Sequence, residues 1–531
     1  MSKKEIKELI FEELTLEQKI GLTMVAVCNV PDRTDVDFIE GLIKKRALGG
    51  VWLNPTPETA PFLKRFKDAA DYPLLVFTDA ESGMKPYLVG KHNAIGMTDS
   101  DELAYMFGKV TALTARKLGY NVVCNPLLDM KATNCTCNGT ARSLGSDKYK
   151  VARLAAAEAR GMHDGGVLTV GKHYPGSPRN FNGNTDSHMA ELVCRATKEE
   201  MLEYNLYPYM ELNKEELLDG IMLGHSRYVD IDEKYPTSLS PEVIKLYREV
   251  GFEGFALTDA LSMMGIVAKF GKERGVGLSV ANAADLALPW VRENEAAYNW
   301  IREYYDNGTI TDEKLNASVK RVLAAQHKVA VMQPKFDEVT EEDIAIFNRI
   351  NTDYVYAKVD AGLKTSLDRD GKYFFVVLNE THAVYDADKP DVDTFRVAWY
   401  HPKKIVEKLK ELFPNSTVMT IPDFPHSGHI YRVLEDSYGM ETVFVTFFMG
   451  GAYYGEERFT PTLISLINAM QVTNRISTVL HFGNPFVLED LSHVSRVIVG
   501  MGSELGVDAG VNVLAGDAPA KGKLTYDVKL K

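Results

Sequence analysis

At 531 residues the chain is longer than one ordinary hydrophobic core, so two domains are expected, one of them large. Hydrophobic residues make up 45% and charged residues 25%, the balance of a soluble globular protein. A formal net charge of -13 offers no basic footprint for a phosphate backbone, which excludes nucleic acid as a partner, and no segment approaches the roughly 20 apolar residues that span a bilayer.

The N-terminal stretch Met1 to Ile10 alternates charge with aliphatics at helical spacing and lacks the apolar core of a signal peptide, so a cytoplasmic location is expected. Apolar runs then recur at Gly49–Asn54, Leu74–Asp79, Asn121–Pro126, Val167–His173, Gly220–His225, Gly254–Asp259 and Ala284–Pro289. Such segments suit parallel strands buried on both faces. Between them, Asp101–Leu118 and Lys150–Asp164 repeat apolar residues every three or four positions, as amphipathic helices do. This alternation favours a TIM-type β/α barrel over an open sheet.

Six of the runs end in polar residues: Asn54, Asp79, Asn125, Lys172 with His173, His225, and Asp259. In a β/α barrel the carboxyl ends of the strands form the active-site face. A single polar residue there is an ordinary cap or turn; the joint pattern is what points to a site. A helix with Thr311 as its N-cap closes the first domain, expected to span residues 1–340. The second, residues 341–531, has strands at Tyr373–Leu378, Val443–Phe448, Ser477–Phe482 and Arg496–Gly500, with helices at Lys403–Leu412 and Pro461–Met470. It reads as a smaller three-layer α/β sandwich.

Two motifs carry chemistry. Lys172-His173-Tyr174-Pro175-Gly176 opens into a polar loop ending in Asp186-Ser187-His188, a carboxylate and an imidazole two residues apart. The run Gly254 to Leu257 breaks off at Thr258-Asp259, placing a carboxylate at a strand end. Together they supply a candidate acid/base and a candidate nucleophile. An imidazole, with an ordinary pKa near about 6.5, exchanges protons readily at neutral pH, and Asp186 is placed to orient it. The five cysteines, Cys28, Cys124, Cys135, Cys137 and Cys194, are odd in number and scattered, as reduced thiols are. Cys135-Thr136-Cys137 has no second Cys/His pair at ligand spacing, so neither a metal nor a cofactor is expected.

These residues resemble glycoside hydrolase family 3, and more closely its β-N-acetylglucosaminidase branch, over nearly the whole chain. The resemblance lies in Leu14 to Gly21, Asp79 to Gly83, Asn125 to Asp129, Arg142 to Gly145, Lys172 to Gly176, Leu257 to Leu261 and His481 to Pro485. It implies that Asp259 is the nucleophile of a glycosyl-enzyme intermediate. Where most retaining glycosidases use a second carboxyl group as acid/base, this branch uses a histidine, and His188 matches it, with Asp186 as its partner. It further implies that Asp79, Asp129, Arg142, Lys172 and His173 bind sugar hydroxyls, and that Met222 and His225 line the next strand. The implied activity is that of a retaining exo-β-N-acetylglucosaminidase acting on small saccharides from cell-wall or chitin turnover.

The chain departs from the family pattern at Ser82-Gly83-Met84-Lys85, where Gly-Gly-Arg is common, and at Ser177 to Phe181, where a His-Gly-Asp run is common. Both places bear on acceptor-side contacts and on preference for the 2-acetamido group. Competing readings are a β-glucosidase using Glu456 or Glu457 as acid/base, a glycoside phosphorylase, and a non-catalytic sugar-binding protein. A phosphorylase is compatible with a histidine acid/base, which adds no negative charge to repel phosphate. His426-Ser427-Gly428-His429 lacks a third ligand and the helical setting of a metal-dependent hydrolase. Oligomeric state is not readable from the sequence.

Overall fold

The computed structural model describes residues 6–29, 34–130, 142–176, 180–181, 186–379, 402–422, 424–448, 458–473, 475–501 and 504–531. By internal contacts the chain divides into two compact units. The first comprises Met1–Leu88, Asp101–Thr133 and Asp147–Phe347; the second comprises Val89–Ser100, Asn134–Ser146 and Asn348–Lys531.

Seven parallel strands build the first unit, in sequential order: β1 (Val25–Val27), β2 (Gly50–Trp52), β3 (Leu75–Thr78), β4 (Val122–Val123), β5 (Leu168–Tyr174), β6 (Gly220–Leu223) and β7 (Phe255–Thr258). Every residue of these strands is buried, as continuous apolar runs require. The expected strand at Ala284–Pro289 is reduced to two bridges, Leu257 to Leu286 and Met24 to Ala287, which join β7 back to β1 and close the ring. Side chains explain the reduction. Asp285 Oδ2 takes the Ala256 amide at 2.9 Å, and Thr258 Oγ1 takes the Leu288 amide at 2.9 Å, so two ladder positions bond to side chains instead of backbone.

Aromatic rings fill space between strands. Trp52 stacks on Phe77, and Phe77 meets Phe255 edge to face at 6.0 Å. Gly220, at the start of β6, makes room for them: a Cβ there would lie 2.5 Å from the Phe255 ring. The helices Asp101–Leu118 and Lys148–Gly165 match the expected amphipathic stretches. They approach closely through glycines, since a Cβ on Gly108 would sit 2.0 Å from Glu158 O. Thr311 caps the helix Asp312–Val331 through the Lys314 amide, as expected.

The second unit holds a six-stranded sheet of β8 (Tyr356–Val359), β9 (Tyr373–Asn379), β10 (Thr417–Pro422), β11 (Glu441–Phe448), β12 (Ile476–Gly483) and β13 (Arg496–Gly500), in the order β8-β13-β12-β11-β9-β10. Only β8 runs antiparallel to its neighbour. The β9-to-β13 portion is doubly wound, reversing direction between β9 and β11. His481 is fully buried between Thr446 Oγ1 at 2.8 Å and Asn484 O at 2.9 Å; burial lowers its pKa to about 3, so it is a neutral core residue. Chain excursions join this unit from far upstream: Asn93 Oδ1 accepts from Thr525 Oγ1 at 3.0 Å, and Ser143 O from Tyr526 Oη at 2.8 Å. The His426–His429 segment requires a correction, because Ser427–Asp436 is helical and His426 is its cap, accepting the Gly428 amide.

Candidate active site

The site assembles at the carboxyl ends of β3 to β7. Asp259 follows β7 directly, and its amide donates to Leu223 O at 2.9 Å, locking it to the end of β6. Its Oδ1 accepts from the Ala260 amide at 2.7 Å, while Oδ2 lies 3.8 Å from His173 Nε2, beyond hydrogen-bond reach. Burial pushes the carboxyl pKa up, but His173, His225, the Ala260 amide and His188 together outweigh it. The net direction is downward, so Asp259 is an anion at neutral pH.

A bulge sets the neighbouring groups. Along β5 and β6, Met222 pairs with Lys172 but Leu223 pairs with Tyr174, so His173 is the extra residue. In a regular strand Lys172 and His173 would face opposite sides; the bulge re-aims one of them and both serve the same mouth. Lys172, almost fully buried, donates to Asp79 Oδ1 and to Glu81 Oε1, the latter at 2.7 Å. His173 Nδ1 bonds Asp129 Oδ2 at 2.6 Å, and the same oxygen accepts the His173 amide at 3.2 Å. Asp129 is anchored in turn by the Leu128 amide, which donates to Lys172 O at 2.6 Å.

His188 and Asp186 form a dyad. Asp186 Oδ1 accepts from His188 N at 2.9 Å and lies 2.7 Å from His188 Nδ1, which therefore carries the proton. The dyad is pinned to the helix that follows Asp259: Gly265 N donates to Ser187 O at 2.9 Å and Met264 N to His188 O at 3.3 Å. Carboxylate and imidazole thus share one backbone frame.

His225 plays a supporting part. Burial holds its pKa below the ordinary imidazole range, so the ring is neutral. Ala260 O can only accept, so His225 Nε2 donates to it at 3.0 Å while Nδ1 accepts from Ser238 Oγ at 2.8 Å. That fixes the carbonyl of Ala260, the residue whose N–H holds Asp259. Met222 is buried between Lys172 and Leu257 in the strand register, one layer below Asp259.

Of the expected residues, Asp259, His188, Asp186, Asp79, Asp129, Lys172, His173, Met222 and His225 all lie in the first unit at this end. Arg142 belongs by its contacts to the second unit, where its carbonyl lies 3.0 Å from His92 Nδ1. Glu456, Glu457, Cys135 and Cys137 lie outside the described residues. Cys28, Cys124 and Cys194 are free and buried, and burial raises the Cys28 and Cys124 thiol pKa values. Two functional neighbours are not among the expected residues: Glu81, which its two-residue spacing from Asp79 could have signalled, and Ser238, which no motif marks. Among the described residues no group of three or more His, Cys, Asp or Glu side chains could hold a metal ion, and no helix is long and apolar enough to cross a membrane.

A closed ring of parallel strands, with a carboxylate and a histidine dyad at its carboxyl ends and a second doubly wound sheet, defines a two-domain β/α-barrel protein of the kind that hosts enzymes. Residues 15–325 match the Glycosyl hydrolase family 3 N terminal domain, and the chain belongs to that family. It is 32% identical over 217 residues to a curated beta-hexosaminidase, LpqI, of Mycobacterium tuberculosis, covering 39% of this chain and 54% of that one. The chain spans about half the length of the curated relatives it matches. Among solved structures, a glycoside hydrolase family 3 beta-N-acetylglucosaminidase from Paenibacillus sp. str. FPU-7 superposes with TM-score 0.79 at 24% identity, over 98% of this chain and 100% of that one. The beta-glucoside phosphorylase BglX gives TM-score 0.79 at 21% identity, over 97% of this chain and 95% of that one. At these identities both establish the two-domain fold.

Proposed function

We propose that the protein is a retaining, exo-acting β-N-acetylglucosaminidase that removes terminal β-linked N-acetylglucosamine from small cell-wall or chitin-derived saccharides. The reading rests on one observation: an ionised Asp259 whose following helix holds the Asp186–His188 dyad by two backbone hydrogen bonds. Asp259 attacks the anomeric carbon; the bond to the leaving oxygen breaks as His188 Nε2 gives it a proton. Asp186 stabilises the imidazolium beforehand and keeps the ring oriented. In the second step His188 takes a proton from water, which attacks the anomeric carbon and releases Asp259. Asp79 and Asp129, with Lys172 and His173 as their partners, supply hydroxyl contacts.

A glycoside phosphorylase is the second reading, favoured by the likeness to BglX and by the histidine at the acid position. Turnover of an aryl β-N-acetylglucosaminide against the matching glucoside, with products identified with and without phosphate, separates the readings. Free N-acetylglucosamine as the main product supports the hydrolase; sugar 1-phosphate selects the phosphorylase; preference for the glucoside removes the acetamido assignment.

A further inference from the structure

A groove of about 570 Å³ opens between the helix Ala60–Ala69 and the turn after the helix Asp101–Leu118, within the size range of small-molecule sites. None of its lining residues belongs to the site at the carboxyl ends of the strands. Leu63, almost fully buried, and Leu118, 47% exposed, are its larger apolar side chains, and Pro55 and Pro57 of the loop after β2 extend the apolar wall. A lone exposed leucine is ordinary, whereas one that walls a concave surface of this size is placed to cover a ligand.

Polar groups converge on the same groove. Tyr120 lines it while only 3% exposed, and its hydroxyl has no hydrogen-bond partner among the described residues. Tyr72, Tyr174, Tyr228 and Tyr247, buried as deeply, each donate to a backbone carbonyl. Tyr209 Oη also lacks a partner but is sealed from any ligand, which Tyr120 Oη is not. Burial pushes the Tyr120 pKa up to about 12, so at neutral pH the hydroxyl keeps its proton and can donate a hydrogen bond. Of the three lysines lining the groove, Lys64 is paired with Asp68 at 2.5 Å. Among the described residues neither the Lys67 nor the Lys85 ammonium has an ion-pair or hydrogen-bond partner. A Cβ on Gly119 would lie 2.9 Å from Lys67 Nζ and 3.6 Å from Leu63 Cδ2, so this ammonium rests over the turn that carries Tyr120, beside the apolar floor. Lys85 comes from a different element, the turn of the hairpin formed by Gly83–Met84 and Tyr87–Leu88. In a chain of net charge -13, two unpaired ammonium groups about an apolar groove make it a local exception that attracts anions.

We propose that this groove is a binding site for a small organic anion, an aryl or alkyl carboxylate whose apolar body lies on Leu63 and Leu118 and whose carboxylate accepts from Tyr120 Oη and the Lys67 and Lys85 ammonium groups. The site is separate from the glycosidase reading and does not depend on it. Inorganic phosphate would leave the leucines uncovered, and a neutral arene would leave the hydroxyl and both cations without a charged partner.

Calorimetric titration of the full chain with 2-naphthoate and with the neutral, nearly isosteric 2-naphthamide tests the proposal. Wild type should bind one naphthoate, and the amide about fivefold more weakly or worse, the discrimination that exposed ion pairs give. Tyr120→Phe removes a hydroxyl with no partner to lose, so the unfolding midpoint should stay unchanged while naphthoate weakens about tenfold. Lys67→Ala/Lys85→Ala should bring naphthoate down to the affinity of the amide. Equal affinity for naphthoate and naphthamide in wild type overturns the proposal, as does naphthoate binding that both variants leave unchanged. Displacement of naphthoate by inorganic phosphate at matched concentration, or no naphthoate binding by wild type, overturns it too.

Discussion

The two ends of the barrel handle a carboxylate in opposite ways. At the amino ends, Asp219 and Asp285 each precede a barrel segment and take the amide of the second residue of the neighbouring strand, from Thr169 at 2.8 Å and Ala256 at 2.9 Å. Asp285 also receives Arg248 at 2.9 Å, Ser318 at 2.8 Å, Arg321 at 3.3 Å and Lys314 at 3.4 Å; Asp219 receives His163 at 2.8 Å and Lys328. Their charge is cancelled by fixed cations, which leaves nothing for chemistry. Asp259, at the other end, keeps a side chain 18% exposed where that of Asp285 is 1% exposed, and has one amide on Oδ1 and an imidazole 3.8 Å from Oδ2. Both carboxylates titrate below the ordinary range. For Asp285 burial pushes up and Lys314, Arg248, Arg321 and the Ala256 amide win; for Asp259 the winners are imidazoles and one amide. A structural carboxylate is therefore distinguished from a reactive one by its partners and its exposure, not by residue type.

The largest expected effect tests that difference directly. Asp259→Asn should lower kcat/KM on an aryl β-N-acetylglucosaminide on the order of 10⁴-fold or more, with the unfolding midpoint unchanged or raised. A lower midpoint would make Asp259 a structural residue like Asp285. His188→Ala comes next: poor leaving groups should slow by about 10²- to 10⁴-fold in kcat/KM, and activated aryl glycosides much less. Equal losses on both substrate types would remove His188 from the acid role.

At the amino end the signature inverts. Asp285→Asn should cost about 3–5 kcal/mol of stability by stranding three cations around one amide, measured by denaturant unfolding, while the remaining folded protein keeps its kcat. The pH dependence divides the same way. Asp285 has a folded pKa below its unfolded value, so its contribution is complete above about pH 4 and is lost as pH falls through the folded value. Acid unfolding should flatten in Asp285→Asn. The acid limb of kcat/KM, set by Asp259, should lie below about pH 4 in protein that remains folded; a limb well above that would contradict an ionised resting carboxylate.

Much of this was legible because parallel barrel strands are apolar throughout and break off in polar residues, so Leu74–Asp79, Val167–His173 and Gly254–Asp259 announced the elements and the polar groups at their carboxyl ends. What stayed hidden depends on partners distant in sequence. The three-residue β1 is too short to show a pattern, and the eighth segment lost its ladder to Asp285 and Thr258 side chains, which no local reading reveals. Thr417–Pro422 has no continuous apolar run, because its exposure alternates irregularly at the sheet edge. The contacts of residues 89–100 and 142–146 with the C-terminal tail link positions about four hundred apart. The bulge at His173 is likewise a register fact, visible only once β6 is alongside.

The smallest expected effect concerns the joint between the two halves of the site. Gly265 N donates to Ser187 O at 2.9 Å, and a Cβ on Gly265 would lie 2.9 Å from that oxygen and 3.4 Å from Ala190 O. Both obstacles are backbone atoms, so Gly265→Ala must displace the Asp186–Ser187–His188 turn rather than rotate a side chain. Because a misplacement of about 1 Å costs on the order of a hundredfold, a shift of a few tenths of an ångström should cost about tenfold in kcat/KM for poor leaving groups. Activated aryl glycosides, which need little proton donation, should be nearly spared, and Asp259→Asn/Gly265→Ala should be no worse than Asp259→Asn. Equal losses on both substrate types would mean that the substitution disturbs Asp259 itself, and that the dyad is positioned by something other than this helix.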